Sequence, residues 1–201
     1  MIKAHTRSRS TLARRPARSI ATPRPRTARH PRLVTIGYQG LTADALVRAL
    51  KTAGVTRLLD VRELPLSRRK EFSKRALAAR LAASDIDYQH VRALGTPRGI
   101  RHRLRAHGDW RGFFSEYRKY LATQRAVLDG LAGTLTGTTA LLCYERSPTE
   151  CHRSVVAEAL ARRLRTFPVH LGLPRTPAAS RPRPARRIRP CVSVKRQGDD
   201  E

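Results

Sequence analysis

The chain has 201 residues, of which 40% are hydrophobic, and carries 42 Lys and Arg against 15 Asp and Glu, for a net charge of +27. That length predicts one domain, and no apolar run reaches the roughly 18 residues of a transmembrane helix, so no membrane is expected as a partner. Three cysteines are too few for a disulfide framework, which together with the lack of an apolar secretory-signal core points to a reducing cytoplasm.

The charge is unevenly spread. Residues 1–32 hold ten basic residues and no acid. With no hydrophobic period, they read as a disordered basic arm. Their Arg-rich, acid-poor composition also suits an organelle transit peptide, or translated GC-rich DNA upstream of the start codon. Residues 33–171 carry 24 basic and 12 acidic residues. This segment is therefore basic without its flanks, which fits an anionic partner or an arginine-rich proteome. Residues 172–201 return to Pro and Arg and read as a disordered basic tail, with no role for Cys191.

The folded part begins with a strand, Leu33–Tyr38, and a short turn, Gly37–Gly40. Thr42 caps a helix whose stripe is Leu46, Ala49, Leu50 and Ala53, and Gly54 stops it. Thr56–Val61 is a second strand, with Asp60 and Arg62 bracketing its carboxyl end, where ligands bind in parallel sheets. A mutual ion pair is the alternative reading of those two. The polar connection after it holds Ser67, Arg68, Arg69 and Lys70, a basic rim for an anion or a solvated loop. Ser73 then caps a helix carrying Leu77 and Leu81.

Ile86–Val91 is a third strand with Tyr88 and His90 on one face. Leu94–Asp109 reads as a long basic loop, a candidate mobile cover. Trp110, Phe113, Phe114, Tyr117 and Leu121 form a helical stripe expected in the core rather than as a base-stacking platform. Arg125–Leu135 is a further helix, Thr139–Tyr144 an apolar central strand, and Phe167–Leu171 a last short strand. Strands alternating with helices predict an α/β fold, a single three-layer domain with a mainly parallel sheet flanked by disordered basic tails.

Leu141–Leu160 concentrates the reactive side chains. Ser147-Pro148-Thr149-Glu150 matches a capping box with Pro148 at the first helical position. That places Cys151 and His152 on or beside the buried face of a helix, near its positive end. Such a position favours a thiolate nucleophile, and Arg153 would add a fork for a phosphate or carboxylate. Cys143 and Cys151 can equally be small buried residues. Metal binding is not expected, because adjacent Cys and His rarely reach one ion and no C-x-x-C pair is present. No cofactor is expected either.

Gly37-Tyr38, DVRELPLSRR at 60–69, Phe72, Tyr88-x-His90, Leu94-Gly95 and CYE…P…CHRS at 143–154 together resemble the bacterial family named domain of unknown function 488, over about residues 33–171. The resemblance implies a single α/β domain and no settled activity. It points at Tyr38, Asp60, Arg62, Pro65, Ser67, Cys143, Glu145, Cys151, His152 and Arg153. DVRE at 60–63, and a cysteine-ending strand followed by a helix opening with Arg-Ser, are similar in layout to rhodanese-like sulfurtransferases, which implies thiol chemistry.

The functional expectation is an anion- or phosphate-binding pocket at the carboxyl edge of the sheet. In it Cys151, His152, Cys143 and Glu145 would do chemistry, and Tyr38, Asp60, Arg62, Ser67 and Arg153 would bind the substrate, a nucleotide or other phosphorylated molecule. The alternatives are a non-catalytic protein that holds nucleic acid non-specifically through its basic tails and the 94–109 segment, and rhodanese-like thiol chemistry.

Overall fold

The computed structural model describes residues 31–172. The readings for residues 1–30 and 173–201, Cys191 among them, lie outside these. Five strands form one sheet: β1 (Arg32–Gly37), β2 (Arg57–Asp60), β3 (Asp87–His90), β4 (Thr138–Cys143) and β5 (Pro168–His170). Every pairing is parallel, and the spatial order is β3-β2-β4-β1-β5. Six helices cover the sheet: α1 (Ala43–Thr52), α2 (Lys74–Ala82), α3 (Arg98–His107), α4 (Trp110–Thr123), α5 (Arg125–Thr134) and α6 (Arg153–Leu164).

Alternation along the strands builds two cores. Val34, Ile36, Leu58, Ala140 and Leu142 face α1 and α2, where Leu46, Leu50, Leu77 and Leu81 are fully buried. Leu33, Leu59, Leu141 and Cys143 face the other way, onto Tyr117, Leu121, Leu128 and Leu131 and onto Val155, Val156 and Leu160 of α6. Every residue of β4 is buried, as a central parallel strand covered on both faces requires. Thr42 caps α1 by accepting from the Ala45 amide.

The strand order fixes where a site can form. From β1 the chain leaves through α1 toward β2, and from β4 it leaves through α6 in the opposite direction, toward β5. Because β1 and β4 are neighbours, a crevice opens beyond their carboxyl ends at this switch point. Register places the ends level, with Gly37 beside Cys143 and Asp60 beside Leu142.

Three expectations are corrected. The 94–109 segment is not a loop: a 3₁₀ turn at Arg92–Leu94 leads into α3, which ends at Gly108 in the left-handed conformation. The capping box does not open a helix. Pro148–Glu150 is an isolated 3₁₀ turn, Ser147 makes no capping bond, and Cys151 is extended at φ −147° and ψ 133°. The α-helix therefore starts only at Arg153. Finally, Arg32, assigned to the basic arm, is the first residue of β1.

Candidate functional site

A cavity of about 630 Å³ lies beyond the carboxyl ends of β1, β2 and β4, within the usual size range for small-molecule sites. Its floor is Tyr38, Arg62, Cys143, Glu145, Cys151 and His152, and Ser67 lies on its rim. Seven of the nine residues singled out from sequence thus share one crevice. Asp60 and Arg153 do not line it.

Asp60 is fully buried beneath Arg62. Arg62 Nε donates to Asp60 Oδ1 at 2.8 Å, and its terminal nitrogen approaches Oδ2 at 2.5 Å. The Tyr88 hydroxyl donates to the same carboxylate at 2.7 Å. The remaining terminal nitrogen of Arg62 donates to the Tyr38 hydroxyl and the Phe72 carbonyl, each at 3.0 Å. The ion-pair reading therefore describes Asp60, whose role is to hold Arg62 at the cavity wall. Burial disfavours the guanidinium charge, but the Asp60 carboxylate outweighs it and raises the Arg62 pKa. Tyr38 stacks on Phe72, with ring centroids 4.3 Å apart.

Arg153 is buried and turned away from the cavity. It donates to the carbonyls of Glu145 and Arg146, and lies 3.4 Å from Thr35 Oγ1. Its fork ties down the loop after β4 instead of offering itself to an anion.

The cavity floor carries the reactive groups. Cys143 Sγ donates to Glu145 Oε2 at 3.0 Å, and Cys151 Sγ to the same oxygen at 3.2 Å. His152 Nδ1 lies 3.7 Å from Cys143 Sγ, and its Nε2 donates to the Val61 carbonyl at 2.8 Å. Burial pushes the Cys151 thiol well above its ordinary pKa, and the neighbouring Cys143 adds to the effect. The expected helix-start thiolate is therefore not made by position alone, because Cys151 precedes the helix in buried, extended backbone. Burial also raises the Glu145 pKa, but the two thiol bonds and a bond to its own backbone bring it below the usual value. Burial lowers the His152 pKa, and contacts with Cys151, Val61 and Glu145 more than offset this.

Possible metal-ligand atoms of Cys143, Glu145, Cys151 and His152 all lie within 4.8 Å of one another. Adjacent Cys151 and His152 nevertheless aim at one region, and the cause is local backbone geometry. Extended Cys151 is followed by His152 in helical conformation at the α6 cap, and this bend turns both side chains toward one point.

The rest of the wall comes from the expected basic rim, from the 94–109 segment read as a cover, and from the aromatic stripe read as core. Thr96, Leu104, Arg105, Trp110 and Phe113 come from the segment after β3, and Arg68 from the basic rim. Thr96 Oγ1 is buried without a hydrogen-bond partner among the described residues. Trp110, expected in the core, is 37% exposed and forms part of the wall. Arg101 is paired with Glu63 at 2.5 Å and Arg69 with Glu71 at 2.7 Å. Arg68 and Arg105 are exposed and have no acidic partner among the described residues.

Fold and crevice together define an α/β protein with a parallel sheet and a thiol-, imidazole- and carboxylate-lined cavity at its switch point. The family described as Domain of unknown function DUF488 matches residues 42–160, and the chain belongs to it. No curated protein and no solved structure matches the chain. No helix among the described residues is long and apolar enough to cross a membrane.

Proposed function

We propose that the protein binds an anionic, phosphorylated small molecule in this cavity and acts on it as an enzyme. One observation carries the reading: the cavity that holds Cys143, Glu145, Cys151 and His152 on its floor has on its rim two arginines, Arg68 and Arg105, with no acidic partner among the described residues. Exposed cations without acidic partners raise the local concentration of anions, and their forks match phosphate oxygens. Thr96 Oγ1, buried and unpartnered, is a hydroxyl free to meet a polar ligand atom, and such orphans ordinarily find a partner. Tyr38 and Trp110 supply flat apolar surfaces, as most ligand pockets do. Glu145 and His152 are the groups positioned to move protons.

The test is a thermal-shift series on the full chain, treated with chelator, against phosphate, sulfate and nucleotides. A bound ligand raises the melting temperature by mass action, by an amount that grows with its concentration. The expected shift is lost in Arg68→Ala/Arg105→Ala, which breaks no ion pair among the described residues. The absence of a shift with any of these anions, or a shift unchanged in that double variant, would refute the reading.

A further inference from the structure

We propose that Cys143, Glu145, Cys151 and His152 form a binding site for a single soft divalent cation of the zinc type. Their candidate donor atoms come from a strand end, the loop after it and the cap of α6, yet all lie within 4.8 Å of one another. Three of the six donor–donor separations are 3.0 Å and 3.2 Å from the Glu145 oxygen to the two sulfurs, and 3.7 Å from Cys143 Sγ to His152 Nδ1, and the other three are no longer than 4.8 Å. Tetrahedral zinc, with sulfur at about 2.3 Å and nitrogen or oxygen at about 2.0–2.2 Å, requires edges of about 3.5–3.8 Å. The imidazole edge already fits. The thiol–carboxylate edges need open by only about half an ångström.

The surroundings aim the donors. The bond from His152 Nε2 to the Val61 carbonyl leaves the Nδ1 lone pair facing the sulfurs, the arrangement seen around metal-bound histidines. Glu145 is held from behind by Arg153 on its carbonyl. Two thiols with one imidazole select a soft ion over magnesium or calcium. The thiols are buried, but all four side chains line the cavity, so an ion enters from that side.

On binding, both thiols release their protons to solvent. Two thiolates and a carboxylate against a dication leave the occupied site with one negative charge. The arginines of the rim, not the ion, would therefore attract an anionic ligand. Anion binding at the rim and the metal site can thus each fail alone, while a bound ion would take Glu145 and His152 out of proton transfer.

The test uses reduced, full-length protein and Co²⁺ as an optical probe. Expected are one cobalt per chain, a thiolate-to-cobalt charge-transfer band, intense tetrahedral visible bands, and displacement by Zn²⁺. Cys143→Ser and Cys151→Ser should each weaken the charge-transfer band, and the double variant should abolish it. Cys191→Ser and Arg68→Ala/Arg105→Ala should leave the spectrum unchanged. If a cysteine variant fails to fold by circular dichroism, the wild-type stoichiometry and a zinc-dependent rise in melting temperature remain the test. Absence of a thiolate band in the reduced wild type overturns the proposal, as does a band that survives the folded double variant. A chain that forms a Cys143–Cys151 disulfide and binds no cobalt also overturns it, and makes the pair a redox dithiol instead.

Discussion

The carbonyl of Glu145 rests against the Cα of Gly37, and a Cβ on Gly37 would collide with it. The end of β1 is thus shaped by the loop after β4, and the floor carboxylate depends on a residue that carries no side chain. Gly37→Ala should destabilise the fold by about 1–3 kcal/mol, as overpacking does, and should weaken cobalt binding by displacing Glu145. Gly130, in α5, has open space around its Cα, so Gly130→Ala should stabilise by about 0.5–1 kcal/mol. Urea denaturation of the two variants should show opposite signs.

Arg153 makes the complementary contact from the other side of the loop. Arg153→Ala should cost about 3–5 kcal/mol, because the carbonyls of Glu145 and Arg146 lose their buried partner. Arg153→Lys should recover little, since an ammonium cannot span both acceptors in a planar fork. Chemical denaturation of both variants checks this. A lysine variant as stable as wild type would show that charge alone suffices.

Asp60 and Arg62 form the buried pair at the end of β2, with 0% and 6% side-chain exposure. Removing either partner strands the other, so Asp60→Asn and Arg62→Met should each cost about 3–5 kcal/mol. The double variant should lose clearly less than the sum of the two. A double-mutant cycle by urea denaturation measures the difference, and additive losses would show that the pair is not coupled.

Tyr88 gives the same cluster a pH signature. Burial and the Asp60 carboxylate push its phenol above the ordinary value. A folded pKa above the unfolded value of about 10 means that the stabilisation is complete below pH 10 and is lost as pH rises through the folded value. Stability should decline on the alkaline side, and Tyr88→Phe should make that decline shallower. Denaturation midpoints from pH 8 upward test the sign.

Much of this architecture is written in local pattern. Continuous apolar runs mark β1 and β4, and the rule that ligands gather at strand carboxyl ends brings Tyr38, Arg62, Cys143, Glu145, Cys151 and His152 to one crevice. What stayed hidden has physical causes. Helix α3 shows only Ile100 and Leu104 as large apolar residues among six polar or charged positions, an alanine and a glycine, too few to display a period. The sequence around Ser147 carries a helix-start signature, yet the extended Cys151 interrupts it, and only tertiary packing dictates that interruption. Thr96 and Arg105 line the cavity from the segment read as its cover, whereas Trp110 joins them from an aromatic stripe whose spacing reads as core. The four-donor cluster depends on one backbone bend between Cys151 and His152, which adjacency in sequence cannot reveal.

Trp110 turns one of those unforeseen positions into a reporter. It is the only tryptophan in the chain and sits half-exposed on the cavity wall, 5.6 Å from the Phe113 ring. Ligands entering the cavity should therefore change its emission, while surface binding elsewhere should not. Titration of phosphate or a nucleotide into the chelated full chain should give a saturable change, and Arg105→Ala should reduce the apparent affinity about tenfold or more, the loss of one charge-assisted contact of about 1.5–3 kcal/mol. Cobalt, a quencher, should lower the emission with one equivalent per chain in the wild type and with none in Cys143→Ser/Cys151→Ser. Emission that responds to neither titrant would place any ligand away from this wall.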